Sequence, residues 1–366
     1  MADYDLVFEG GGAKGSCFVG ALQALFQAGH APRRLVGTSA GAITATLLAA
    51  GYTPEQMRDA ANERLPNGKP RFSTFMDPPL QDDFSQKTLD TSQTMEVLKD
   101  VNLPGLPNFE AFDKVLIKGL MQSRLYRQLF CFVECGGLFA GNKFVQWLQE
   151  KLQAKGIDQD TTLEAFAAKT KKDLSLVVSD TSDMEMLVLN RRTAPKCPVV
   201  WAVRMSMSIP FVWREVEWQQ AWGKYLEQDK TGHNIVDGGV LSNFPIRYID
   251  DEPAQNPEVR EVMGDTIASD AGTLGLLIDE TRRVPGAEGK DRKGALGHLR
   301  TVERVSRLVD TMTKARDNAD IRRYNEQICR LPAFGYGTTE FDMTPERLKS
   351  LIDAGRQAME AFLAQK

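Results

Sequence analysis

Histidine is scarce in this chain, with only His30, His233 and His298 among 366 residues, so chemistry that needs imidazole as a base has few places to come from. No window approaches the roughly 18 uncharged apolar residues of a transmembrane helix. The N-terminus, Met1-Ala2-Asp3-Tyr4-Asp5, is acidic and lacks the basic start and long apolar core of a signal peptide. The expected location is the cytoplasm, or outside the cell by export without a cleavable signal peptide. Cysteine is sparse and odd in number: Cys17, Cys131, Cys135, Cys197 and Cys329. That argues for reduced thiols rather than a disulfide framework. Cys131 and Cys135 share a helix face but have no partnering Cys or His pair, so no metal site and no cofactor is expected. There is no basic excess either. Lys and Arg number 45 against 49 Asp and Glu, a net charge of −4, and no RNA-reading motif occurs, so nucleic acid is not an expected partner.

What the chain does have is glycine, 30 residues of it, placed where short apolar runs end. Leu6-Val7-Phe8 reads as a buried strand entering Gly10-Gly11-Gly12-Ala13-Lys14-Gly15. Val19, Leu22, Leu25 and Phe26 then recur at helical spacing and stop at Gly29. Arg34-Leu35-Val36 is a second strand, entering Gly37-Thr38-Ser39-Ala40-Gly41, and Ala40 to Ala50 is a small-residue helix ended by Gly51. This order predicts a parallel sheet with a right-handed crossover. Residues 52–140 carry Pro66, Pro70, Pro78, Pro79, Pro104 and Pro107 and read as an inserted, largely helical cap. A helix over Lys143–Lys155 with Asn142 as N-cap follows. Strands are expected at Leu174–Val178, Met186–Leu189, Ile235–Val236 and Thr273–Ile278, with a hairpin around Val212–Val216 and Tyr225–Gln228. A long amphipathic helix is expected from Leu296 to Ile328 and a shorter one from Pro345 to Leu363. The division that results is a catalytic domain over 1–285 and a C-terminal helical region over 286–366.

Gly10–Gly15 fits the dinucleotide fingerprint G-x-G-x-x-G, but that use needs an acidic residue at the end of the second strand. Here that strand reads Arg33-Arg34-Leu35-Val36-Gly37. A P-loop fails too, because Lys14 precedes Gly15. What survives is a nest of backbone donors for an oxyanion, with Lys14 adding positive potential. Gly37-Thr38-Ser39-Ala40-Gly41 is a G-x-S-x-G elbow, in which the glycines allow the close approach that exposes a serine hydroxyl, and the helix that follows aims its free N–H groups at the same spot. On its own motif Ser39 reads first as a plain helix N-cap, and the glycine cradle beside it is what turns the reading towards a nucleophile. For a base, His298 is the sole downstream histidine in α/β-hydrolase order, yet its setting reads as a helix start, and His233 precedes a strand. Asp237 ends Ile235-Val236 ahead of Gly238 and Gly239 and projects from a strand end. The same residues also read as an ordinary tight turn.

In this order and spacing, Gly-Gly-Gly-Ala-Lys-Gly, Gly-Thr-Ser-Ala-Gly and Asp-Gly-Gly resemble the patatin-like phospholipase family. So do Arg204-Met205-Ser206-Met207-Ser208-Ile209-Pro210, and Gly137-Leu138-Phe139 ahead of Trp147-Leu148. The resemblance spans residues 4–250. It implies a three-layer α/β/α fold with a mostly parallel central sheet. It implies Ser39 as nucleophile and Asp237 as general base, without histidine. The oxyanion hole would lie in Gly10, Gly11, Gly12, Ala13 and Lys14, chiefly the amides of Gly11, Gly12 and Ala13. Gly15, Gly37, Gly41, Gly238 and Gly239 would be the glycines that shape the motifs. The implied substrate is a phospholipid acyl ester, cleaved through an acyl-enzyme during transient membrane-surface contact; a protein activator is a partner some bacterial relatives need. Apolar candidates for that contact are Phe72–Phe75, Leu125–Phe132 and Trp213, Trp218 and Trp222, although a place in the core is the commoner fate of such residues. Residues 282–330 hold 13 Lys and Arg against 7 Asp and Glu, either a draw for anionic headgroups or a solvated helix face. Two other functions stay open: a general carboxylesterase or thioesterase, and a catalytically quiet lipid-binding module.

Overall fold

Alternation of apolar side chains along the central strands dictates the layering. The computed structural model describes residues 3–94, 119–250, 256–264, 271–286 and 317–366. In chain order the strands are β1 (Asp3–Phe8), β2 (Ala31–Thr38), β3 (Gly137–Phe139), β4 (Asp173–Asp180), β5 (Glu185–Leu189), β6 (Phe211–Trp213), β7 (Val216–Glu217), β8 (Asn234–Asp237), β9 (Gly272–Arg283) and β10 (Ile328–Phe334). Leu6 and Phe8 of β1, Leu35 of β2, Leu174 and Leu176 of β4 and Leu276 of β9 enter one core. Their neighbours Val7, Val36, Val177 and Leu277 enter another on the opposite face. A sheet apolar on both faces must be covered on both. The fold is therefore α/β in three layers.

The main sheet runs β10-β9-β1-β2-β4-β8-β7, with β5 also on β4. From β10 to β4 every pairing is parallel, while β5 and β8 lie antiparallel to β4. The helices that matter for the site are α1 (Cys17–Gln27), α2 (Ala40–Ala49), α3 (Pro54–Ala61), α4 (Arg124–Glu134), α5 (Asn142–Gln153), α6 (Leu163–Thr170), α7 (Val199–Ser206), α8 (Pro257–Met263) and α9 (Pro345–Leu363). Helix α9 lies so close to α1 that a Cβ on Gly355 would fall 2.0 Å from the carbonyl oxygen of Cys17.

Three expectations need correction, and one open choice is decided. The hairpin is not formed: β6 pairs parallel with β3, β7 pairs with β8, and Tyr225 meets Gln228 in a bridge of its own. Asn142 is the first residue of α5 rather than its cap. Gly141, in the left-handed region, holds the cap position, and the Asp77 carboxylate accepts the amides of Gly141 and Asn142. The C-terminal region is not purely helical, because Ile328–Phe334 is a strand on the edge of the sheet; Pro332 is tolerated there because β10 pairs on one side only. Trp213, Trp218 and Trp222 are buried core residues, as is Phe75. Residues 95–118 of the expected cap, the expected helix from Leu296 as far as residue 316, and His298 lie outside the described residues.

Candidate active site

One edge of β4 serves two strands in succession. Asp173–Val177 pair with Arg34–Thr38 of β2, and Val178–Asp180 continue along the same edge against Asp237–Ile235 of β8; β5 occupies the other edge. Thr38 thus faces Val177 while Asp237 faces the very next residue, Val178. Two strand ends far apart in sequence abut, and Ser39 follows directly from one of them.

Ser39 turns between β2 and α2 at φ 54°, ψ −120°, a strained backbone for a residue with a Cβ. Close packing enforces it: a Cβ on Gly37 would fall 2.4 Å from the Gly41 carbonyl, and one on Gly41 2.3 Å from that of Phe8. The Ser39 amide donates to Ser206 Oγ at 3.0 Å, and Ser206 Oγ donates to the Val177 carbonyl at 2.7 Å. Asp237 is braced from the same loop, its amide donating to the Ser208 carbonyl at 3.0 Å. Ser206 and Ser208, two positions apart at the end of α7, therefore hold one strand end each. Arg204 ties this loop to its surroundings. Its guanidinium donates to Ser208 Oγ, to the Ala140 carbonyl at 2.9 Å and to the Arg214 carbonyl at 3.2 Å, and burial lowers its pKa to about 9.

The Asp237 carboxyl is buried, and among the described residues no cation pairs with it. Oδ1 accepts the Gly239 amide at 2.7 Å, whereas Oδ2 has no formed hydrogen bond. Burial pushes its pKa up to about 7, against the smaller opposing pulls of the Ser39 hydroxyl and the Gly239 amide. A carboxylate near neutrality beside a hydroxyl is matched to proton abstraction at physiological pH.

The glycine turn packs on the other side of Ser39; a Cβ on Gly10 would lie 3.1 Å from Ser39 Cβ. Its five expected donors are not equivalent. The Gly10 amide donates to the Asn243 carbonyl at 3.0 Å, that of Ala13 to the Thr338 carbonyl at 2.8 Å, and that of Lys14 to the Gly11 carbonyl at 3.2 Å. Among the described residues, the amides of Gly11 and Gly12 make no such bond. Gly12, at φ 55°, has no room for a side chain, since a Cβ would sit 2.1 Å from the Thr338 oxygen. Lys14 is buried and ion-paired with Glu280, so its charge is already matched.

The family profile described as patatin-like phospholipase matches residues 6–250. The chain belongs to the patatin-like phospholipase family. It is accordingly a lipid acyl hydrolase. Within this phospholipase family setting, the chain is similar along nearly its whole length to YqhO, an uncharacterized protein of Bacillus subtilis (strain 168), at 29% identity over 99% of this chain and 98% of that one. It is 21% identical to a probable lipid hydrolase, 463L, of Invertebrate iridescent virus 6, across 66% of this chain and 61% of the viral protein. Among solved structures it is similar to VipD from Legionella pneumophila, with a TM-score of 0.48 and 17% identity over 99% of this chain and 67% of that one.

Ser39 of this patatin-like phospholipase stands where two hollows meet. One, of about 750 Å³, is apolar and runs inward between α1, α2 and α5, lined by Val19, Ile43, Leu47, Phe75, Phe144 and Trp147. The other is an open polar cleft of about 1600 Å³ lined by Glu9, Lys14, Asp237, Asn243, Glu280 and Arg322, among others. Asn243 has no motif to announce it; its one cue is its place six residues after Asp237. Its Nδ2 donates to the Gly10 carbonyl at 3.0 Å and to Glu9 at 3.2 Å, locking the glycine turn to the segment after β8. Asp317 in turn accepts the amides of Asn243 and Phe244 at 2.9 and 3.1 Å. Burial raises Glu9 to about 8 and Asp317 to about 6.

Among the described residues, Asp180, Asp183 and His233 present ligand atoms within 4.8 Å of one another. The positive charge there is supplied from within the chain: the Lys230 ammonium lies 3.4 Å from Asp180 and 2.7 Å from Asp183. That arrangement is a salt-bridged cluster in which Asp180, Asp183 and Glu185 share one ammonium.

Proposed function

We propose that the protein is a phospholipase A-type serine hydrolase working through a Ser39–Asp237 dyad. The observation that carries this reading is the abutment of β2 and β8 on one edge of β4, which sets a strained serine beside a buried carboxyl with an unpartnered oxygen. Ser39 Oγ attacks the ester carbonyl and passes its proton to Asp237. The amides of Gly11 and Gly12 stabilise the negative charge on the carbonyl oxygen. Collapse of the adduct releases the alcohol, which takes the proton back from Asp237 and leaves an acyl-Ser39 ester. Water, deprotonated by Asp237, then frees the fatty acid. The acyl chain enters the apolar hollow and the alcohol side lies in the polar cleft.

Membrane contact is supported by α4. Phe130 and Cys131 on one side of it are buried, whereas Leu125, Leu129 and Val133, at helical spacing on the other, are 67%, 52% and 63% exposed. Phe132 stacks near Phe211 with ring centroids 5.8 Å apart, and Phe211 adjoins Pro210 at the cleft wall. An apolar stripe beside the cleft mouth fits a surface that rests on lipid. The similarity to a probable lipid hydrolase agrees with this substrate class. The test is turnover of phospholipid vesicles and of a monomeric ester by wild type and Ser39→Ala, with released fatty acid and lysolipid identified. A fluorophosphonate probe should label wild type and not Ser39→Ala. Turnover of the monomeric ester alone would make the protein a general carboxylesterase, and absence of both turnover and labelling a binding module.

A further inference from the structure

Among the described residues, the cations of the polar cleft are engaged except one. Lys14 is paired with Glu280. Arg330 donates to Asn325 Oδ1 at 3.1 Å and lies 3.9 Å from Asp279, which also meets Arg282 at 3.3 Å and accepts the Thr281 amide at 2.9 Å. Asp317 is held by two backbone amides and the Ser242 hydroxyl. Glu9 accepts the Ile278 amide and the Asn243 side chain, and with its pKa at about 8 it is mostly neutral at pH 7. Arg322 also lines the cleft. It is exposed, and among the described residues its guanidinium has neither carboxylate nor carbonyl partner. The cleft therefore offers one uncommitted cation, on the side of Ser39 away from the apolar hollow.

We propose that Arg322 binds the phosphate of the substrate's headgroup and so makes the enzyme prefer phosphodiester lipids to neutral acyl esters. This rests on the reading of the site as an ester hydrolase with its leaving group in the polar cleft. A guanidinium fork presents two parallel N–H donors to two phosphate oxygens, a geometry that lysine cannot reproduce. A neutral glycerol headgroup has no anion to offer and gains nothing from the contact. Because Arg322 is exposed at the cleft wall, it is a specificity residue rather than part of the chemical step.

The experiment compares lysophosphatidylcholine with monoacylglycerol of the same acyl chain, in the same detergent micelles, for wild type, Arg322→Gln, Arg322→Lys and Arg323→Gln. The last removes a neighbouring charge whose guanidinium lies 5.0 Å from the Tyr324 ring. In Arg322→Gln, kcat/KM for lysophosphatidylcholine should fall about tenfold, mainly through KM, with monoacylglycerol within twofold. Arg322→Lys should recover part of the loss, and Arg323→Gln should show none. Equal losses on both lipids, or an equal effect of Arg323→Gln, would overturn the proposal in favour of a structural or general electrostatic role. If millimolar inorganic phosphate inhibits monoacylglycerol turnover only when Arg322 is present, while the two lipids respond alike to Arg322→Gln, the residue binds free phosphate and the headgroup role is wrong. Failure of wild type to cleave either lipid, with no turnover of phospholipid vesicles and no fluorophosphonate labelling, would instead sink the hydrolase reading itself.

Discussion

Two buried aspartates lie near one another at the end of β4, and they have been given opposite surroundings. Asp180 sits on β4 opposite Ile235 of β8; Asp237, two residues on in β8, sits opposite Val178. Asp180 is held by partners on several sides: His233 Nδ1 at 2.8 Å, the Lys230 ammonium at 3.4 Å, and the amide of Ser182 at 2.9 Å. Among the described residues, Asp237 has two amide contacts through its own backbone and Oδ1 but no cation, and its Oδ2 has no formed bond. The contrast separates structural from chemical use of the same side chain. A buried carboxylate matched by an ammonium holds a fold together, and breaking the match is costly. A buried carboxyl left unmatched is pushed up in pKa, where it serves as a base.

The largest expected effect follows at Asp237. Asp237→Asn should lower kcat by about ten-thousand-fold, the upper end of what a positioned general base contributes, and kcat/KM of the wild type should rise with pH through about 7 as Asp237 loses its proton. The stability effect has the opposite sign. The folded-state pKa lies above the ordinary 3.8, so the native state binds the extra proton, and ionising Asp237 destabilises the fold increasingly from pH 4 up to about 7. Asp237→Asn should therefore be more stable than wild type at pH 8, by up to about 4 kcal/mol, and indistinguishable at pH 4. Thermal melts at the two pH values check this. A variant less stable than wild type at pH 8 would mean that the carboxylate is matched after all. At Asp180 the expectation is reversed. Asp180→Asn leaves Lys230 with Asp183 and Glu185 alone, costs about 2–4 kcal/mol in urea unfolding, and changes kcat of the folded enzyme by no more than a few-fold.

A smaller effect sharpens what holds the pair in register. Ser206→Ala removes the acceptor of the Ser39 amide and the donor to Val177 at once. It should lower kcat about tenfold with KM nearly unchanged, because the nucleophile loses its brace while the hollows keep their shape. An equal loss in a variant with Ser208 changed to Ala would not be expected, since Asp237 is held by the Ser208 backbone rather than its hydroxyl.

Much of this was legible in the chain because the motifs carry backbone requirements. Gly37 and Gly41 demand close approach around Ser39, and the glycine run after β1 demands a turn with free amides; both requirements are local. Asp237 was ambiguous between base and turn, because what decides it is the register of β4, set by residues some 60 positions earlier in the chain. The roles of Ser206 and Ser208 were invisible for the same reason: neither serine announces that its partner is the amide of Ser39 or of Asp237. The cap of α5 was misread because Asp77, distant in sequence, supplies the acceptors that Asn142 was expected to provide. The strand at Ile328–Phe334 was missed because the preceding residues keep helical spacing, and only pairing with β9 reveals the change of period.

The smallest effect tests the exclusion of histidine. His233 begins the run into β8, four residues before Asp237, and a strand advances about 3.3 Å per residue. The imidazole is thus about 13 Å along the strand from the carboxyl that faces Ser39. It is turned instead toward Asp180 and Asp183, at 2.8 and 3.7 Å. His233→Ala should leave kcat/KM within twofold across pH 5–9 while lowering the melting temperature by a few degrees, the loss expected from one partner of a salt-bridged cluster. A tenfold fall in kcat without a change in stability would mean that imidazole reaches the reacting ester, and the distinction between the two aspartates would collapse, because the paired one would then be orienting a base.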